Sequence, residues 1–246
     1  MLLAILSDIH GNREAFEAVL AAAQAAGAER FVVLGDIVGY GADPEWCAER
    51  AIELSAAGAI VLRGNHDDAI GNASVSMNPT ATFALEWTRR QLGSATRAFL
   101  AALPFKAREG DCLFVHADAS APSDWNYVLD TSDAGEHLAA CEARVSFCGH
   151  VHKPALYCTA VAGKVTYFCP VAATPVPLLP QRRWLAVMGA VGQPRDGNPN
   201  AAFALYDTQS AMLRFMRVAY DIEKAAEKIR AAGLPASLAD RLFRGR

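Results

Sequence analysis

The first sixty residues alternate between short apolar runs and longer amphipathic stretches. Leu2–Leu6, Phe31–Leu34 and Ala59–Leu62 are continuous and apolar. Between them, Glu14–Ala26 is Ala-rich and meets Gly27, and Pro44–Ala57 follows Asp43, with Pro44 at the first helical position. Glycine stops helices because it tolerates a left-handed backbone. Proline suits a first turn, where its missing N–H is not needed, and Asp43 is the expected N-cap. Strand, helix, strand, helix, strand predicts parallel βαβ units.

The rhythm breaks at residues 72–110, where helical patterns at Ala81–Leu92 and Ala95–Leu103 predict a helical insertion. Strand character returns at Cys112–Val115 and Val145–Cys148, with a helix expected between them at Ala134–Ala143. The second half offers Leu156–Val161, Val165–Cys169, Trp184–Val187, Ala201–Tyr206 and Met212–Val218, joined by short Gly- and Pro-rich links. That style suggests mostly antiparallel pairing. Residues 221–246 form an amphipathic helical tail anchored by Ile222, Ile229, Leu234, Leu238 and Leu242, and divided at Gly233 and Pro235. Docking on the core edge and a homodimer contact are both open to it. With no repeat and no low-complexity linker, the expectation is one α/β domain over 1–246, two sheets sharing a core with helices outside.

Composition narrows the picture modestly. An apolar share of 52% with 20% charged residues excludes wholesale disorder. A formal charge of −3 gives no long-range attraction for polyanions, so bulk nucleic acid is not the expected partner. The six cysteines lack C-x-x-C spacing and are expected as reduced, structural thiols of a cytoplasmic protein. The N-terminal apolar run has no basic residues ahead of it and stops at Asp8, unlike a signal peptide. No run reaches the ~20 apolar residues that cross a membrane.

The chemistry gathers where the runs end. The endings are Asp8-Ile9-His10, Gly35-Asp36, Arg63-Gly64-Asn65-His66-Asp67, His116 and Gly149-His150-Val151-His152. In a parallel sheet the C-terminal ends of strands share one edge, where ligands bind. Five of the six histidines fall at these ends; His137 does not, and reads as a solvated or packing residue. Asp8, His10, Asp36, Asn65, His116, His150 and His152 are all metal-ligating types. They exceed the three protein ligands of a catalytic zinc and suffice for two ions sharing a carboxylate. Two ions ~3.5–4 Å apart can hold both sides of an in-line displacement at phosphorus. His66 is then left to protonate the leaving oxygen.

In order and spacing these blocks resemble the calcineurin-like metallophosphoesterase superfamily, over residues 1 to about 218. Gly39-Tyr40-Gly41 and Gly192–Asn198 further resemble its small prokaryotic phosphodiesterase branch. The resemblance implies a four-layer α-β-β-α sandwich with two mixed sheets and the metal site at strand C-terminal ends. It implies Asp8, His10 and His152 on one ion, Asn65, His116 and His150 on the other, and Asp36 bridging. A hydroxide between the ions would be the nucleophile, with His66 at the leaving group and Asp67 orienting it. The ions are divalent or trivalent, with Mn, Fe, Zn and Mg all compatible. Asn12 is expected at the phosphate or behind a ligand, Tyr40 as a pocket wall, and Arg195 on phosphate oxygens. Asp118 stands where the family usually has Gly and is expected behind a ligand imidazole. Trp125 and Tyr127 could stack on a base or simply pack.

Two departures qualify the transfer. Met188-Gly189-Ala190 stands where Asn-Pro-Gly-Ser is commoner, which weakens borrowed substrate contacts there. Gly35-Asp36 lacks the following Asp-Arg-Gly of protein phosphatases, which argues against a phosphoprotein substrate. The expected activity is hydrolysis of a small phosphate ester, foremost a diester. Monoesters and dinucleoside polyphosphates are the alternatives, and a non-catalytic scaffold on the same fold is the remaining one. No membrane partner is expected.

Overall fold

The N-terminal apolar run becomes a central strand, and the parallel pairing it predicts is present. The computed structural model describes residues 1–159 and 163–246. The first half runs β1 (Leu2–Leu6), α1 (Arg13–Ala25), β2 (Arg30–Val33), α2 (Pro44–Ala56), β3 (Ile60–Val61), α3 (Asn65–Asp68), α4 (Pro79–Gln91) and α5 (Ser94–Ala102). The middle runs β4 (Lys106–Glu109), β5 (Cys112–Val115), α6 (Thr131–Ala139), β6 (Val145–Cys148), β7 (Ala155–Thr159) and β8 (Val165–Phe168). The chain closes with β9 (Pro175–Pro177), β10 (Trp184–Val187), β11 (Ala201–Asp207), β12 (Met212–Val218), α7 (Ile222–Ala231) and α8 (Ala236–Arg244).

Two mixed six-stranded sheets result. The first has the order β3-β2-β1-β11-β12-β9 and the second β4-β5-β6-β10-β7-β8. β1, β2 and β3 are mutually parallel, while β11 runs antiparallel to β1 with Leu3 opposite Tyr206. In the second sheet β5, β6 and β10 are parallel, and β7 is antiparallel to β10.

Alternation along the strands assigns each face. Leu3, Ile5, Val32 and Leu34 meet Phe114, Phe147, Leu156 and Trp184 in the core between the sheets. Ala4, Leu6 and Val33 point the other way, onto Phe16 and Val19 of α1 and Cys47 and Ala51 of α2. On the far side, Val115, Leu185 and Val187 pack beneath Ala134 and Leu138 of α6. The layers are therefore helix, sheet, sheet, helix. The tail packs on its own chain: Ile229, Leu238 and Leu242 join Ala81 and Ala84 of α4 and the ring of Tyr40.

Several expectations are corrected. The 72–110 insertion is helical only to Ala102. Lys106–Glu109 is an edge strand antiparallel to β5, and charge is normal on the open edge of a sheet. Pro175–Pro177 also escapes sequence patterning; it pairs at the sheet edge, the place where proline is tolerated. The second-half strands do pair mostly antiparallel, but they divide between the two sheets, and β10 is parallel to β6. Asp43 makes no capping bond to α2; its carboxylate accepts from Lys228 at 2.7 Å. α6 begins at Thr131 because Asp130 caps it, accepting from the N–H groups of Ser132 and Asp133. Val161, expected at the end of a strand, lies outside the described residues. Cys47, Cys112, Cys148 and Cys158 are buried as filler, but Cys169 is exposed and Cys141 half-buried.

Candidate metal centre

The loops leaving β1 and β2 are laced together by main-chain bonds: Asp8 N to Gly35 O at 3.1 Å, His10 N to Asp36 O at 2.8 Å, and Gly11 N to Ile37 O at 2.9 Å. This lacing aims two carboxylates inward. The His66 N–H donates to Asp36 Oδ1 at 2.8 Å, and the His150 N–H donates to Asp8 Oδ2 at 3.1 Å. Each carboxylate thus has one oxygen tied and one free. Asp36 Oδ2 lies 3.6 Å from His10 Nε2 and 3.4 Å from His116 Nε2. Asp8 Oδ1 lies 3.2 Å from His152 Nε2.

The imidazoles are fixed from behind. His10 Nδ1 meets Val38 O at 3.3 Å, His116 Nδ1 meets Leu34 O at 3.2 Å, and His152 Nδ1 meets Gln193 O at 2.7 Å. A carbonyl only accepts, so in each neutral ring the proton sits on Nδ1 and Nε2 is a bare lone pair. His10 Nε2 and His152 Nε2 face each other at 3.1 Å. Asp8 Oδ1 and His150 Nε2 are buried with no hydrogen-bond partner. Lone pairs pressed together in a dry site repel unless a cation stands between them, so this donor set fits a metal. Backbone carbonyls holding the rear nitrogen are the usual support of ligand histidines.

Two overlapping groups emerge. Ligand atoms of Asp8, His10, Asp36 and His152 lie within 4.8 Å of one another, and so do those of Asp36, His116 and His150. Asp36 belongs to both. Asn65 Oδ1 lies 3.2 Å from His116 Nε2 while its Nδ2 donates to Met77 Sδ, so Asn65 faces the second group.

Electrostatics follow the same pattern. Burial disfavours the Asp36 carboxylate, but His116, His66 and His10 around it hold its pKa well below the ordinary range. Burial also opposes charge on His116, yet Asp36, with Asp8 and Asp67 behind it, raises its pKa to about 9. Burial keeps His10 well down and His150 at about 3. The proton on His116 is the one a metal would displace.

Holding these loops in place strains the backbone. Asp8, His10, Asp36, Tyr40, Trp125, His150 and His152 all have positive φ, between 51° and 66°, a region costly for non-glycine residues. Glycines give the loops room to meet: a Cβ on Gly64 would stand 2.1 Å from Asp36 Oδ1, and one on Gly149 1.8 Å from Ser7 Oγ.

A calcineurin-like phosphoesterase superfamily domain matches residues 1–211. The chain belongs to that superfamily. It is 36% identical to a metallophosphoesterase from Sphaerobacter thermophilus, over the whole chain and 99% of that crystal structure, with a TM-score of 0.89. It is 33% identical to an uncharacterised protein of Methanocaldococcus jannaschii, spanning 100% of this chain and 98% of the relative. A hypothetical protein from Pyrococcus horikoshii, 22% identical over 98% of its chain, shares the fold at a TM-score of 0.81. The chain is thus a metallophosphoesterase-family protein with a cluster suited to metals.

All seven expected ligands of the calcineurin-like pattern converge, and His66 stands beside them. Its ring lies 4.8 Å from that of His10 and 4.5 Å from that of Tyr40. Burial lowers the His66 pKa to about 4, with Asp36 opposing. Tyr40 walls the cavity as expected, and Arg195 lines it. Tyr127 stacks on the His150 ring at 4.1 Å, and Trp125 meets His116 edge-on at 5.9 Å.

Three expected roles are replaced by others. Asp67 does not orient the His66 ring: Oδ1 accepts from the N–H groups of Ile37 and Val38, and Oδ2 from Gly64, so it clamps two loops. Of the two places expected for Asn12, the phosphate contact is not seen: Oδ1 caps α1 through Ala15 N, and Nδ2 donates to Gly192 O, whose own N–H donates to Asp8 O. Asp118 backs no ligand imidazole; it faces His137 at 3.7 Å and accepts from Ser120. His137 itself is fully buried rather than solvated. The carbonyls of Leu34, Val38 and Gln193 escape sequence reading because any residue type supplies one. Arg241, beside Gln193, also goes unnoticed in a helix that reads only as amphipathic.

Proposed function

We propose that this protein hydrolyses phosphodiesters, with Asp8, His10 and His152 holding one metal ion, Asn65, His116 and His150 the other, and Asp36 shared. The observation that carries this is the pair of abutting ligand groups with a common carboxylate and one histidine, His66, outside both. Bound there, two ions supply Lewis acidity, a nucleophile usable at neutral pH and charge neutralisation on phosphoryl oxygens.

The chain's own residues do the rest. His66 delivers a proton to the leaving oxygen, a step typically worth ~10²–10⁴-fold. Tyr40 and Gly39 hold its ring: a Cβ at Gly39 would stand 2.4 Å from His66 Nδ1. The cavity measures about 710 Å³. Tyr40 and Arg195 line it together, as do Phe105, Trp125 and Tyr127, with Asn72 and residues 74–78 of the insertion. A diester has two substituents to place, and a cavity lined by two aromatic groups, Tyr40 and the set of Phe105, Trp125 and Tyr127, has room for both.

The test is a paired assay of bis(p-nitrophenyl) phosphate and p-nitrophenyl phosphate with Mn²⁺, Fe²⁺, Zn²⁺ or Mg²⁺. The expected result is a kcat/KM at least tenfold higher on the diester. A preference for the monoester overturns the diester assignment, and turnover of neither with any ion overturns the enzyme reading.

A further inference from the structure

Most arginines of the fold have an acidic or main-chain partner. Arg195 and Arg241 share a single neutral one. Arg195 Nε and Nη2 donate to Gln193 Oε1 at 3.3 and 2.9 Å, and Arg241 Nη1 donates to the same oxygen at 3.1 Å. Arg241 Nε is buried with no partner. Among the described residues no carboxylate lies within ion-pair distance of either; the adjacent Asp196 pairs with Arg217 instead. Two guanidiniums leaning on one amide oxygen leave positive charge uncompensated, a costly arrangement without an anion. Burial, with Arg195 nearby, lowers the pKa of Arg241.

The position of this charge matters. The Arg195 guanidinium carbon lies 5.8 Å from the Tyr40 ring centroid, and Tyr40 is the ring packed on His66. The cationic group therefore stands on the side of the proton donor, where the leaving group departs. Arg195 also lines a second cavity of about 880 Å³, with Lys153, Arg246 and the Arg217–Asp196 ion pair. A chain of phosphates leaving the scissile position would cross Arg195 and enter that basin. The planar fork of arginine suits phosphate oxygens.

We propose that Arg195, with the Tyr40 hydroxyl beside it and Arg241 behind it, forms a subsite for a second phosphate on the leaving portion of the substrate. This rests on the phosphoesterase reading and deepens it. The substrate class becomes phosphodiesters carrying a further phosphate, such as short oligonucleotides with terminal phosphates. α8 then has a role at the site, because Arg241 reaches Gln193 from it and Gln193 O holds the ligand His152.

The test compares cleavage of the internal bond of thymidylyl-thymidine with and without a terminal phosphate, placed at the 3′ end or the 5′ end. Wild-type protein should show at least tenfold higher kcat/KM for one phosphorylated form, chiefly through KM. Arg195→Ala should lose at least tenfold more on that form than on the unphosphorylated dinucleotide, and Arg195→Lys should regain part of it. Arg241→Gln should lower the preference several-fold. Thymidine 3′,5′-bisphosphate should inhibit wild type more strongly than thymidine 5′-monophosphate, and Arg195→Ala should erase the difference. No wild-type preference, or equal loss by Arg195→Ala on all dinucleotides, overturns the subsite. Bis(p-nitrophenyl) phosphate run alongside reports on the phosphoesterase reading, so failure of the subsite and failure of that reading give different patterns.

Discussion

At the strand ends, His10, His116 and His152 each give the Nδ1 proton to a main-chain carbonyl, and their Nε2 atoms converge beside Asp8 and Asp36. On the outer face of the second sheet, His137 is just as buried and also has a carboxylate near, Asp118 at 3.7 Å. Its ring is held the opposite way: Nδ1 accepts from the Ala119 N–H at 3.2 Å, so the proton of the neutral ring sits on Nε2. A donor points into the protein there, and a donor cannot ligate a cation. The difference teaches that burial and a nearby acid do not make a metal site. Among His10, His116, His152 and His137, the partner of the rear nitrogen separates the proposed ligands from the filler residue.

The strongest way to break the contrast is to remove the charge that organises the strand ends. Asp36→Asn keeps the shape but deletes the shared anion facing His10 and His116. Both ions should be lost together, seen by elemental analysis, and activity on bis(p-nitrophenyl) phosphate should fall by more than ~10³-fold, well beyond one removed donor. Retention of one full equivalent of metal would show that Asp36 is not shared.

A smaller effect separates His66, the proposed proton donor, from the histidines proposed as ligands. His66→Ala should keep both ions and lower kcat by ~10²–10⁴-fold on an alkyl diester, the range for a lost general acid. The loss should shrink on nitrophenyl esters, whose leaving group needs little protonation. Loss of an ion in this variant would move His66 into the ligand set.

Much of this was legible in the residues, for physical reasons. A parallel βαβ start puts the ends of β1 to β3 on one edge with His10 and His66, and the parallel pair β5 and β6 of the second sheet brings His116, His150 and His152 to face them. Ligand types are written in side chains and could be read directly. The roles of Asp67 and Asn12 were not legible, because each is settled by main-chain groups, and that of Asp118 is set by the distant side chain of His137 and by Ser120. Asp67 has Ile37, Val38 and Gly64 N–H groups to satisfy, and Asn12 has Ala15 N and Gly192 O. The edge strand Lys106–Glu109 lacks an apolar face long enough to reveal itself, and its pairing with β5 is set by the sheet rather than by its own sequence.

The finest test of the contrast uses pH on the filler histidine. Burial, assisted by Arg183 and opposed by Asp118, lowers the His137 pKa to about 4, against 6.5 when the chain is unfolded. Above pH 6.5 neither state binds this proton, and His137 makes no pH-dependent contribution. Between 6.5 and 4 the unfolded chain takes up the proton and the folded protein does not, so stability falls with pH by at most ~1.4 kcal/mol per unit. Across the window the loss approaches ~3 kcal/mol, and below pH 4 it stops growing. His137→Gln keeps a side-chain acceptor for the Ala119 N–H and cannot titrate. Urea denaturation of both proteins at matched metal content should show the variant less stable at pH 7, and the two converging as the pH drops to 4. The metal ligands titrate identically in both, so they cancel in the difference. Parallel curves would mean that His137 is not held neutral, and the distinction between the two histidine environments would lose its electrostatic basis.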